Sequence, residues 1–496
     1  MYPYLTLFAV ISLFAGLAFV AFTNYLSIHS NIRAFLREFL YMFTTTYVII
    51  GLIFRLSFIP TGSMEPETIK VGDKVVIWKM AYGARIPETL LQIPFAEKKY
   101  YKGLKLPYLR LPGYTKPKQN DIFIFNSPYE VVEHNRDMAQ PFVKRLRVGP
   151  LQTFKRINGR IFIKQKDGSF LLQMLPAHAI LNQKYLIELK GFRFMNKAIS
   201  HLKKLGAYEV TTIGENTFLI TTTKAVARKL KHNKTEVESI EPYYVPPVRS
   251  FRVTFKDTLR DKATQMSYFG VEQLKVYTWE KNNTYSVQAN KAQFEALKQS
   301  PYIENIVTIA KKTRYFDYEQ EGDRHLSFVE CIGGNEDQLP EITVPGKTLT
   351  IPINKETLNI YGHVIKWHDN AHNNDKIEID PVEGTLTING KKQDHYTFKQ
   401  DYYWGEGDNQ PHSADSRSWG FVPHNLVIGK ATLVVASNKN SYFLIDLLTF
   451  RIRWNRILKP INTDTISAMH LQLLLLLVIL LSIGLFVMRR RRKHDA

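Results

Sequence analysis

Residues 407–431 read GDNQPHSADSRSWGFVPHNLVIGKA, a segment dense in side chains that hydrogen-bond locally and unlike a generic loop. It leads into the apolar run NLVIGKATLVVAS and follows EITVPGKTLTIPI, KIEID, GTLTING and YTFKQDYYW. Short β-branched and aromatic runs separated by Gly, Pro and Asn are the pattern of strands and turns, so residues 339–436 predict a sheet. The same grain marks residues 60–166, with KVVIW, DIFIF and RIFIKQ between turn signals. The simplest organisation is one mainly β domain in two parts, residues 60–183 and 311–468, interrupted by something of a different kind.

The interruption is an internal repeat. TFLITTTKA at 217–225 aligns with TYSVQANKA at 284–292, and the surroundings of each copy follow the same plan. A strand (YLIELKG, then FRVTFKD) precedes a helix (MNKAISHLKKLG, then DKATQMSYFG), a hairpin, a second helix (KAVARKLKHN, then KAQFEALKQS) and a closing strand (VESIEP, then IENIVTI). That order is β-α-β-β-α-β, so residues 184–310 are expected to form two tandem ferredoxin-like repeats, an α+β insertion.

The 496 residues carry 66 Lys+Arg against 45 Asp+Glu, a formal charge of +21. With 45% hydrophobic and 22% charged residues, collagen-like, coiled-coil and wholly disordered chains are excluded. The mean hydropathy of −0.21 hides an uneven distribution. Residues 5–22 (LTLFAVISLFAGLAFVAF) are almost continuously apolar and, as a helix, about 27 Å long, the thickness of a bilayer core. A cleavable signal peptide is the alternative, but the stretch has no basic segment before it. Residues 39–59 give a second expected span with Arg55 near its end, and residues 471–488 a third, followed by five basic residues in the 489–496 tail. Arg33 and Arg37 between the first two spans, and the basic tail, predict that both segments are cytoplasmic and that residues 60–470 lie on the other side. The apolar, proline-rich stretch 87–118 either rests on a bilayer surface or covers the core. A basic balance also suits nucleic acid, but outside the cytoplasm attraction to anionic lipid explains it better. The single cysteine, Cys331, excludes a disulfide framework and a thiolate metal cluster.

Ser63 lies in FIPTGSMEPETIKVGD, just after the second expected span. A serine hydroxyl is a poor nucleophile until a base removes its proton. Lys144, in QPFVKRLRVG, shares a strand face with Phe142 and Leu146 if that strand alternates. A lysine facing an apolar core loses charge and becomes a usable base, whereas most strand lysines are solvated edge residues. His412 or His424 in a Ser-His-Asp triad is the weaker alternative, since nothing else marks either histidine. His363, His368 and His372 include an i, i+4 pair, a spacing that binds zinc on a helix, but HDNAHNND reads as a loop with solvated histidines.

TGSMEP, the VKR strand and GDN…SADSRSWGFVP, in this order and after an apolar segment, resemble the sequence boxes of bacterial type I signal peptidase. The resemblance implies a membrane-bound serine endopeptidase of the bacterial inner membrane, multi-pass, with its catalytic domain on the extracytoplasmic side. It implies removal of signal peptides from exported preproteins after a small-x-small motif. By the same resemblance Ser63 is the nucleophile and Lys144 the general base, with Thr61 and the Ser63 amide forming the oxyanion hole. Ser413 orients the lysine and Asp415 and Arg417 brace the loop. No cofactor or metal is implied. Implied partners are signal peptides and the lipid bilayer, with secretion-machinery or substrate contacts through residues 184–310 and no nucleic acid. Three features depart from the usual pattern: Glu67 is inserted after Pro66, VGPLQ at 148–152 replaces a G-x-P-G-D turn, and Gln410 stands where an arginine is usual. The competing expectation is an inactive, membrane-tethered binding or scaffold protein of the same fold. Joint retention of Thr61, Ser63, Lys144 and Ser413 argues against it.

Overall fold

The computed structural model describes residues 53–89, 106–130, 135–175, 181–190, 195–214, 216–244, 249–255, 275–280, 284–289, 291–299, 303–308, 328–369, 375–380, 383–438 and 452–461. In chain order the first part gives β1 (Phe54–Phe58), β2 (Asp73–Trp78), β3 (Ile122–Asn126), β4 (Pro141–Val148), β5 (Thr153–Ile157), β6 (Arg160–Lys164) and β7 (Phe170–Leu172). Then come β8 (Asn182–Leu189), α1 (Met195–Lys204), β9 (Glu209–Thr212), β10 (Thr217–Thr223), α2 (Lys224–His232) and β11 (Val237–Pro242). They are followed by β12 (Arg249–Phe255), β13 (Lys275–Glu280), β14 (Thr284–Ala289), α3 (Lys291–Gln299) and β15 (Ile303–Thr308). The last part holds α4 (Phe328–Cys331), β16 (Leu339–Thr343), β17 (Thr350–Pro352), α5 (Lys355–Val364), β18 (Ile377–Asp380), β19 (Thr385–Ile388), β20 (Lys391–Gln393) and β21 (His395–Thr397). It ends with β22 (Tyr402–Glu406), α6 (Ser416–Trp419), β23 (Val422–Pro423), β24 (Val427–Ser437) and β25 (Lys459–Pro460).

The protein is mainly β, consistent with a signal-peptidase-like domain. Its largest sheet runs β1-β2-β24-β3-β4-β22-β23, with β25 on β24. The late strand β24 therefore lies between two early ones, pairing antiparallel with β2 and with β3. A second sheet, β16-β5-β6-β7, mixes the two parts again. Alternation explains how one strand serves two cores: in β3 Phe123 and Phe125 enter one apolar cluster while Ile122 and Ile124 enter another. All five β3 residues are buried. The VGPLQ turn is closed by the Gln152 side chain, which accepts from the Gly149 amide at 2.7 Å.

Between the two parts stand two four-stranded sheets of order β11-β8-β10-β9 and β13-β14-β12-β15. Each is antiparallel, with its first strand between its third and fourth, the arrangement that β-α-β-β-α-β connectivity gives. In the first unit α1 and α2 lay Ala198, Leu202, Ala227 and Leu230 on the sheet, against Ile187, Phe218 and Ile220. The stretch expected as the first helix of the second copy lies outside the described residues.

The expectation of three transmembrane helices is corrected, and with it the multi-pass placement in a bacterial inner membrane. Among the described residues no helix is long and apolar enough to cross a membrane. Residues 5–22, 471–488 and the 489–496 tail lie outside the described residues, but the end of the expected span 39–59 is described, and it is strand β1. FRLSF is β-branched-poor yet pairs along its whole length with β2, from Phe54 opposite Trp78 to Phe58 opposite Lys74. Sheet pairing overrides its apolar, helix-compatible composition, and Arg55 is buried in the protein. In stretch 87–118 the described residues cover the core: Arg110 donates to the carbonyls of Gly83 at 2.8 Å and Val427 at 2.6 Å.

Candidate active site

The turn that carries Ser63 joins β1 to β2. Its base is closed by backbone bonds from Ile59 to Asp73 and from Gly72 to Ile59. Met64 and Ile69, both buried, pin the turn into the same cluster as Val75, Ile77 and Ile124. Ser63 is thus half-buried at a rim whose neighbours are fixed, and Thr61 is on the exposed shoulder before it. Glu67, the inserted residue, is exposed and gives its carbonyl to Arg456, whose guanidinium also pairs with Asp73 at 2.5 Å.

Lys144 comes from the middle of β4, with β3 on one side and β22 on the other. It is 2% exposed, which overturns the reading of a solvated edge lysine. Its amine donates to Ser413 Oγ at 3.0 Å. Burial lowers its pKa to about 8; Asp415 and Asp408 pull it up in part and Arg417 pushes it down. The neutral amine is therefore a minor species at pH 7 and the major one only above about pH 8.

Segment 407–417 wraps over both. The Asn409 amide donates to the Ser63 carbonyl and its side chain to the Gly62 carbonyl, each at 3.0 Å. Asp408 accepts from Thr68 of the serine turn at 2.6 Å and from Arg145, the residue after Lys144, at 2.8 and 2.7 Å. One carboxylate, itself buried, therefore ties the serine turn and the lysine strand to this segment. Asp415 caps α6 and binds Arg417 through both oxygens at 2.8 Å. It also accepts from the Gly407 amide at 3.0 Å. Burial alone would raise the Asp415 carboxyl; the Arg417 charge and hydrogen bond, with Lys144 beyond, outweigh it and hold the pKa at about 2. Arg417 donates to the carbonyls of Gln410 and Ser413. Where an arginine was expected, Gln410 bonds Glu406, which pairs with Arg147 and Arg156.

More than half of the chain, residues 32–204 and 342–436, matches the family described as signal peptidase, peptidase S26. The chain belongs to that family. It is therefore a serine peptidase of the signal peptidase kind, and the activity that goes with membership is the removal of signal peptides from proteins that carry them. The split in the match, with residues 205–341 left out, is consistent with a large insertion in a signal peptidase domain. No curated protein matches the chain.

The competing histidines are engaged elsewhere. His412 Nε2 is 2.9 Å from Glu209, and His424 Nδ1 is 2.9 Å from the Tyr403 hydroxyl. His368, read as solvated, is 2% exposed, and burial lowers its pKa to about 3. His372 lies outside the described residues. Sequence reasoning missed Asp408, Asn409 and Arg145 as organisers of the site; the GDN string was visible, but what it would bind was not. It also missed Gly407, where an added Cβ would stand 2.5 Å from the Ser63 carbonyl and against the Ser413 hydroxyl.

Proposed function

We propose that this peptidase cuts by a Ser-Lys dyad, with Ser63 as nucleophile and Lys144 as general base, releasing signal peptides from exported preproteins after a small-x-small motif. The observation that carries the reading is the Lys144 amine: buried in a mainly β core, with a pKa lowered to about 8 and held by Ser413 beneath the segment that binds the Ser63 carbonyl. In the neutral form Lys144 takes the Ser63 hydroxyl proton as Oγ bonds to the scissile carbonyl carbon. The tetrahedral oxyanion is met by the Ser63 amide and the Thr61 hydroxyl. Lys144 returns the proton to the departing amine as the C–N bond breaks, leaving an acyl-enzyme. Water, deprotonated by the same lysine, then releases the signal peptide. Asp415 and Arg417 brace the loop that aims Ser413 at the lysine.

The test is cleavage of a purified preprotein bearing a small-x-small motif. Wild type is expected to cut it at that site, and Ser63→Ala and Lys144→Ala each to abolish cutting. Cleavage that survives Ser63→Ala overturns the assignment, and a wild type inactive on several preproteins favours a scaffold.

A further inference from the structure

Asn409 joins the serine turn to the four-stranded unit β8-α1-β9-β10-α2-β11, and every polar group it carries has a partner. Its amide donates to the Ser63 carbonyl at 3.0 Å, and its own carbonyl accepts from the His412 amide at 3.0 Å. Its side-chain Nδ2 donates to the Gly62 carbonyl at 3.0 Å. The remaining atom, Oδ1, accepts from the Asn182 side chain at 3.1 Å. Asn182 opens β8, where it stands opposite Thr223 of β10 and forms a parallel bridge with Asn409. Its amide donates to the Asp408 carbonyl at 3.1 Å. Backbone pairing on both sides therefore fixes where this side chain starts. Asn182 is 2% exposed and Asn409 0%, so water does not replace the bond between them.

The two ends of an asparagine amide have nearly the same shape, so their partners decide which end faces where. The donor from Asn182 pins Oδ1 of Asn409, and that turns Nδ2 onto Gly62. The Gly62 carbonyl belongs to the same planar trans peptide as the Ser63 amide, and in such a unit C=O and N–H point in opposite directions. A bond on that carbonyl fixes the direction of the Ser63 N–H, the donor assigned above to the oxyanion, and polarises it. We propose that Asn182 is a positioning residue for the peptidase reaction: by orienting Asn409 it sets the Gly62–Ser63 peptide that presents the oxyanion-hole amide. The proposal rests on the reading of Ser63 as nucleophile. It makes the unit between the two interleaved parts a working component of catalysis. Asn182 acts at one remove, since its bonds go to Asp408 and Asn409 and the Lys144–Ser413 bond does not run through it.

The experiment compares Asn182→Ala and Asn182→Asp in the full chain on a small-x-small preprotein, beside Ser63→Ala. Both changes leave the buried Asn409 Oδ1 without its donor, so kcat is read per folded molecule. Alanine only removes the bond. Aspartate, an acceptor, draws Nδ2 to itself and turns Oδ1 against the Gly62 carbonyl. The expected falls in kcat are about tenfold for alanine and about a hundredfold for aspartate, the latter close to the loss of one oxyanion donor, at little-changed KM. If the aspartate variant does not fold, the alanine variant decides. A peptide aldehyde ending in the same motif forms a tetrahedral adduct on Ser63 and so needs the oxyanion amide. Its affinity is expected to fall by the same factors, while that of the carboxylate product peptide is unchanged. The pH at which the rate rises is expected to stay where it is. Wild-type kcat and aldehyde affinity overturn the proposal and leave the Ser63 reading standing. So does a lower Tm with kcat per folded molecule unchanged, an equal loss of aldehyde and product affinity, or a displaced pH profile. Full activity in Ser63→Ala overturns both.

Discussion

Lys144 sits at the point where stability and chemistry oppose one another. Its folded pKa of about 8 lies below the ordinary 10.5, so between those values the unfolded chain binds more protons than the folded one. Stability therefore rises with pH through that window, and below it the burial cost, on the order of 3 kcal/mol, is felt in full. Lys144→Met is expected to be inactive yet more stable than wild type in urea at neutral pH, with the difference closing as pH rises past 10.5. The wild-type rate is expected to climb with pH through about 8, as the neutral amine accumulates. A rate flat across that range would remove Lys144 as base. Gly407 is the second residue with a sharp consequence. Its Cβ would collide with the Ser413 hydroxyl and the Ser63 carbonyl. Gly407→Ala is expected to lose on the order of a hundredfold in kcat, the size that follows a misplacement of about 1 Å. Ser63 and Lys144 were legible in the sequence because their boxes are. Gly407 and Asp408 stood in the same string, but what they touch comes from a turn and a strand hundreds of residues earlier.

At the scale of elements, β3 and β4 show why pattern reading succeeds in part. The run IFIFN is apolar at every position because both faces of β3 are covered, which periodicity alone does not distinguish from a buried helix. β4 alternates as expected, with Phe142 and Leu146 on one cluster and Val143 on the other. Arg145 and Arg147, on the strand face opposite Lys144, are buried too, each paired with a carboxylate. The Arg145–Asp408 pair links β4 to the serine turn through Thr68. Asp408→Asn leaves the Arg145 charge buried without its counter-ion, and a loss of about 3 to 5 kcal/mol in urea unfolding is expected. A loss under ~1 kcal/mol would show that the knot is not what holds these elements together. β1 is the opposite case: FRLSF continues an apolar run, and only its pairing with β2 makes it a strand.

For the whole molecule, the interleaving of its two parts sets how it folds. β24 contributes both edges of its backbone to strands from the first part, so neither part closes its sheet alone. Residues 53–190 expressed without 328–461 are expected to stay unfolded or aggregate, and mixing the two pieces during refolding to restore a cooperative transition. A stable, monomeric first piece would argue against this dependence. The unit built on β8 to β11 has its own apolar cluster, and its contacts with the rest gather at Asn409 and His412.

The sequence by itself determined the family, through local strings whose residue types the chemistry demands. It determined the sheet-rich grain of residues 60–166 and 339–436 and the β-α-β-β-α-β order, because side-chain periodicity and turn residues are local properties. Tertiary structure alone decided that β1 is a strand and that Lys144 is buried enough for its pKa to fall to about 8. It alone decided that Asp408 and Asn409 bind the serine turn. Burial, pKa and long-range hydrogen bonds depend on what the fold brings within a few ångströms, and no run of neighbouring residues records that.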